Sequence, residues 1–158
     1  MGIKLGLINE ELRERYRGLE VGLKNYAIKL RGIQIGGINF ADELSYGAQI
    51  GPYNHALESR GAQIGFDNRV YRSSHGVQIG VINSAKELRG AQIGFCNLVR
   101  KRFRGLQLGI LSNYCGPDSA GVQVALINIR AGNHWYSKII PIIAVRTKKL
   151  GLEEKVES

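Results

Sequence analysis

"GAQIGFDNRVYRSSHGVQIGVINSAKELRGAQIGFCN", residues 61–97, contains one eight-residue phrase three times. Counted from its first glycine, the phrase GxQxGxxN begins at Gly2, Gly18, Gly32, Gly47, Gly61, Gly76, Gly90, Gly105 and Gly121. Its third place holds Gln34, Gln49, Gln63, Gln78, Gln92, Gln107 and Gln123, with Lys4 and Glu20 in the first two units. The fourth place is always aliphatic, and an asparagine closes each unit from Asn9 to Asn128, slipping one place to Asn113 in the unit of Gly105. A short unit cannot bury an apolar face alone, so such repeats stack or pair side by side to close a common core.

Within a unit, apolar residues at places two, four and six alternate with Gly, Gln and Gly, the period of a strand with one apolar face. This predicts Ala91, Ile93 and Phe95 on the core side, and Gly90, Gln92 and Gly94 on the other. The seven glutamines then form a structural ladder of side-chain amides. From Gly18 to Gly105 the step between first glycines alternates strictly between a shorter one and one longer by a single residue; the first and last steps are longer again. A chain that reverses at each unit meets two different ends in turn, which would produce such an alternation through two classes of hairpin loop. The favoured expectation is therefore an all-β protein of about ten strands, an antiparallel up-and-down meander able to curl into a barrel. The alternative is a β-solenoid with two-faced coils of about 29 residues, each holding two units, which stacks Gln34 over Gln63 over Gln92 and Asn39 over Asn68 over Asn97. Pro52 counts against a central strand at its position, having no N–H for a ladder.

With 158 residues, 44% of them hydrophobic, the chain suits a single domain over 1–150. The nine units occupy 2–128, a proline-containing apolar segment at about 137–147 closes or caps the array, and 151–158 form a polar tail. No apolar run approaches the roughly 18 residues of a membrane helix. Cys96 and Cys115 form no CxxC and are too few for a disulfide framework. No charged segment followed by an apolar stretch opens the chain, which leaves the cytoplasm as the default location.

Runs such as "GVQIGVIN" and "LRGAQIGFCN", joined by six or seven residues, resemble the surface-repeat proteins of spirochaetes and other bacteria. The closing "SKIIPIIAVR" is similar to their apolar, proline-containing last strand. The resemblance covers about residues 2–145 and implies an all-β protein of the cell envelope. It brings no activity or catalytic residues with it, and the Lys/Arg-rich connections depart from it.

Little in the chain suggests catalysis. His55, His75 and His134 have no Cys, Asp or Glu at metal-ligand spacing. No GxGxxG or GxxxxGK[ST] occurs, so the glycines are not phosphate loops, and no cofactor or small-molecule substrate is expected. Carboxylates in "NEELRERYR" and "FADELSY" read as solvated loop charge. The sharpest local feature is basic: Lys and Arg number 22 against 13 Asp and Glu, a net charge of +9. "RVYRSSH" and "LVRKRFR" would bring Arg69, Arg72, Arg100, Lys101, Arg102 and Arg104 around Tyr71 and Phe103, a candidate anion site with aromatics for stacking. The reading as a whole is a non-enzymatic structural or interaction scaffold, self-associating through open strand edges. Its alternatives are an anion-binding module, for nucleic acid or acidic lipid, and an outer-membrane barrel.

Overall fold

The computed structural model describes residues 2–11, 15–131 and 139–146. Nearly all of this chain is extended, in strands β1 (Gly2–Leu5), β2 (Ile8–Glu11), β3 (Tyr16–Ile50), β4 (Tyr53–Cys115), β5 (Ala120–Arg130) and β6 (Ile139–Arg146). The 63 residues of β4 would span about 200 Å if straight. Instead the strand turns corners and lies against itself, and the chain forms a β-solenoid of about eight turns.

One phrase makes one coil. Gly2 pairs with Gly18, Asn39 with Asn54, Gly47 with Gly61, and Gly105 with Gly121, always in parallel. Parallel pairing overturns the antiparallel meander and with it the barrel. The solenoid alternative has the right class of fold but twice the true coil, since Gln63 lies on Gln49, and Gln49 on Gln34. The alternating spacing comes from a bulge. Ala41 pairs with Ala56, whereas Leu44 pairs with Glu58, a step shorter by one residue. Every second coil thus absorbs one extra residue after its asparagine, leaving glycines and amides in register.

The first glycine of each unit turns a corner and lets the coils touch. Gly76 has φ +147°, and a Cβ there would lie 2.0 Å from the carbonyl oxygen of Gly61. Only glycine combines that backbone with that approach. Gly51 and Pro52 interrupt the winding between β3 and β4, and the Pro52 carbonyl accepts from the Phe66 and Asp67 amides at 2.9 and 2.8 Å. Proline is tolerated there because its carbonyl, and not its missing N–H, serves the neighbouring coil.

The larger surprise is which side faces in. Gln34, Gln49, Gln63, Gln78, Gln92 and Gln107, with Asn25, Asn39, Asn54, Asn68, Asn83 and Asn113, are completely buried, while Ile64 and Ile79 are each 41% exposed. The expectation of apolar places two, four and six inside is therefore inverted. Two further inward columns are apolar or small. Ala27, Ala41, Ala56, Val70, Ala85, Val99 and Cys115 occupy one; Leu30, Ser45, Ser59, Ser74, Leu88, Phe103 and Ser119 occupy the other. They form two apolar clusters, one from Tyr16 to Ala56 and one from Val70 to Cys115. At the last coil β6 pairs antiparallel with β5, and Pro141 falls in the register shift between Ile140 and Ile142. It thereby covers the open edge with the one strand whose repeat pattern differs.

Candidate functional site

Inside the solenoid the amides satisfy one another. Each glutamine Nε2 donates to the side-chain oxygen of the preceding coil at 2.7–2.9 Å, from Gln123 down to Gln34, whose acceptor is Glu20 Oε2. Each asparagine Nδ2 donates the other way, to the Oδ1 of the next coil at 2.8–3.0 Å, from Asn9 to Asn128. Backbone carbonyls set these directions. The second Asn68 hydrogen reaches Ile79 O at 2.9 Å, and Gln34 and Gln49 reach the carbonyls of Phe40 and His55 at 3.2 Å. The two ladders therefore run with opposite polarity. Their donors and acceptors are consumed within the stack, so the chemistry available to a partner lies outside.

The exterior has two contrasting sides. On the corner after each asparagine, charges are paired between successive coils: Lys29 with Glu43 at 2.9 Å, Arg72 with Glu58 at 3.7 Å, Arg102 with Glu87 at 3.5 Å. Arg69 is held by Asp67 at 2.8 Å within its own coil, which raises the guanidinium's already high pKa through that hydrogen bond. Of the cations foreseen as an anion site, Arg69, Arg72 and Arg102 thus already have carboxylate partners. Arg100, Lys101 and Arg104 are exposed and have none among the described residues. Two coils separate Arg69 and Arg72 from Arg100 and Lys101, about 10 Å. Phe103 is 1% exposed within the second apolar cluster, which corrects its proposed role in stacking. Tyr71 is 53% exposed, its hydroxyl 3.4 Å from His55 Nδ1. His55 also meets the Phe40 ring edge-on at 5.0 Å. Burial lowers the His55 pKa, with Asp67 opposing and Arg69 assisting. Among the described residues no three potential ligands gather to hold a metal ion, and His134 lies outside them.

The opposite side is aliphatic, and the sequence pattern had assigned it to the core. Place four of successive units, from Ile35 through Ile50, Ile64, Ile79 and Ile93 to Leu108, forms one outward ridge, each residue 36–41% exposed. Phe66, Val81, Phe95 and Ile110 form a second beside it. Glycines sink troughs between the ridges. One, of about 420 Å³, is lined by Gly80, Val81, Ile93, Gly94, Phe95, Leu108, Gly109 and Ile110. Along the edge of this flank runs a column that sequence reasoning missed except at Arg104. The residues just before the first glycines from Gly18 to Gly105 are Arg17, Arg31, Tyr46, Arg60, His75, Arg89 and Arg104. Register places Tyr46 beside Arg60, and Arg60 donates to the Tyr46 hydroxyl at 2.6 Å while Arg31 and Arg60 both lie 5.3 Å from its ring. The recurring "RG" at 17, 31, 60, 89 and 104 was the available signal.

These features define a parallel β-solenoid protein with one repeat per coil, a polar interior and an apolar flank. No family model matches the chain, nor does any curated protein or solved structure.

Proposed function

We propose that the protein is a non-catalytic interaction scaffold whose working surface is the aliphatic flank. The observation that supports this reading is the inversion itself: the amides are spent inside and the aliphatic side chains are turned out. At about 4.8 Å per coil and five extended residues across, the flank covers roughly 600 Å², at the upper end of the largest apolar patches on ordinary monomers. A surface of that size is retained at a solubility cost unless something covers it. The cell-envelope setting implied by the surface-repeat resemblance suits such a module. The charged corner suits it less as a site, since Lys29, Arg72 and Arg102 there are matched by carboxylates of the neighbouring coils.

Replacing Ile64, Ile79 and Ile93 together by serine tests the reading. Their side chains point outward, so circular dichroism should report an unchanged fold. An environment-sensitive apolar dye should bind folded wild-type protein and bind the triple variant several-fold more weakly. Equal dye binding by two folded proteins would remove the flank from consideration.

A further inference from the structure

We infer that the flank is covered by a bilayer surface carrying anionic headgroups, with the arginine column as its electrostatic edge. The inference rests on the scaffold reading and names its partner. Among the described residues, Arg17, Arg31, Arg60, Arg89 and Arg104 lie in no ion pair, although in the adjacent column, two or three residues earlier in their coils, Lys29, Arg72 and Arg102 find carboxylates one coil away. The column borders the flank at place two of the units. Arg17 and Arg31 share with Ile3, Leu19 and Ile33 the walls of a trough of about 620 Å³. Apolar side chains beside a row of arginines are what an interfacial element needs, the former entering the acyl boundary and the latter reaching phosphate oxygens.

Charge decides between this partner and two others. From Gly18 to Asn113, the repeat phrases that form the flank carry two carboxylates, and both are buried: Glu20 at 0% exposure inside the ladder, and Asp67 at 7%, paired with Arg69; the nearest outward ones, Glu43, Glu58 and Glu87, are matched by Lys29, Arg72 and Arg102. A second copy of the chain would bring its own flank, equally poor in exposed carboxylates, and leave the arginines unmatched. A nucleic acid would match the arginines but leave the isoleucine and phenylalanine ridges wet. An anionic bilayer answers both. Its headgroups also form a continuous plane, as does a rod about 40 Å long.

The test is flotation of the full chain with vesicles of phosphatidylcholine alone and with about 30% phosphatidylglycerol. Wild-type protein should float with the anionic vesicles, less so at high salt. Replacing Arg31, Arg60, Arg89 and Arg104 by glutamine should weaken the partition on the order of a thousandfold, and the Ile64, Ile79, Ile93 serine variant should abolish it. Both variants should keep the wild-type circular dichroism. Equal binding to neutral vesicles, or undiminished binding by the glutamine variant, would overturn the inference. Light scattering that shows a discrete oligomer lost in the serine variant, with no flotation, would give the flank to a second copy and leave the scaffold reading standing. DNA binding through the same arginines without flotation would reassign the column. Absence of flotation, assembly and dye binding alike would remove both readings.

Discussion

Glu20 occupies the ladder position that glutamine fills in the seven coils after it. Its Oε2 accepts from Gln34 at 2.7 Å, but its Oε1 is buried without a hydrogen-bond partner. Burial raises its pKa, with the Gln34 bond and Lys4 opposing. A carboxyl whose pKa is higher folded than unfolded adds stability below the unfolded value, about 4.3. That contribution is lost as pH rises through the folded value. Glu20→Gln should therefore melt at a higher temperature than wild type at pH 7, and the gap should close as pH falls toward 4. A gap unchanged by pH would show that ionisation of Glu20 is not its source. A second contrast isolates the corner glycine. Gly76→Ala places a Cβ against the Gly61 carbonyl at φ +147°, whereas nothing lies within 4 Å of a Cβ at Gly2. Urea titration should show Gly76→Ala losing about 3 kcal/mol or more, with Gly2→Ala changing stability by under about 0.5 kcal/mol. At this scale the sequence was informative about residue type and poor about side: "LVRKRFR" reads as one basic loop, yet Phe103 turns inward while Arg102 and Arg104 turn out.

The ladders and ridges are the elements, and they explain why the inversion escaped a reading by period. Alternation of two shows that a strand has two faces and is silent about which one is buried. Hydrophobicity ordinarily decides, because an amide taken from water without partners costs about 1–3 kcal/mol. Here each buried amide meets its own kind one coil away, a satisfaction that exists only once the coils stack in register. The glutamine and asparagine columns were legible as columns; their burial was a property of the assembly. Removing one rung should accordingly cost more than one bond. Asn68 accepts from Asn54 at 2.9 Å and donates to Asn83 and to Ile79 O, so Asn68→Leu orphans three partners. Asn9, at the end of the ladder, donates to Asn25 and to Val21 O. Asn68→Leu should lose about 3–5 kcal/mol, and Asn9→Leu clearly less. Equal losses in chemical denaturation would mean that the rungs act independently of their place.

A molecule in which each coil touches only its neighbours should tolerate the loss of whole coils. That expectation separates a solenoid from a barrel, which loses closure when strands are removed. All-β repetition was evident from the phrase, but direction was not. The alternating spacing that suggested reversal is a bulge carried by every second coil. The same alternation specifies the cleanest cut. Deleting residues 47–75 removes one short and one long coil, so Gly76 follows Tyr46 and stacks on Gly32. Gln34 then receives Gln78, and Asn39 donates to Asn83, at the spacing each already uses. The excised coils contribute Ala56, Ser59, Val70 and Ser74 to the two interior columns, leaving Tyr16, Ala27, Leu30 and Ala41 in the first apolar cluster and Ala85, Leu88, Val99, Phe103 and Cys115 in the second. The shortened protein should keep its β-sheet circular dichroism and unfold cooperatively, with a urea dependence reduced roughly in proportion to the surface lost. Retention of the fold would establish that stability accumulates coil by coil along the ladders. Collapse to an unfolded chain would mean that the two apolar clusters depend on the coils where they meet, which hold Ala56 and Val70, and that the array folds as one indivisible unit.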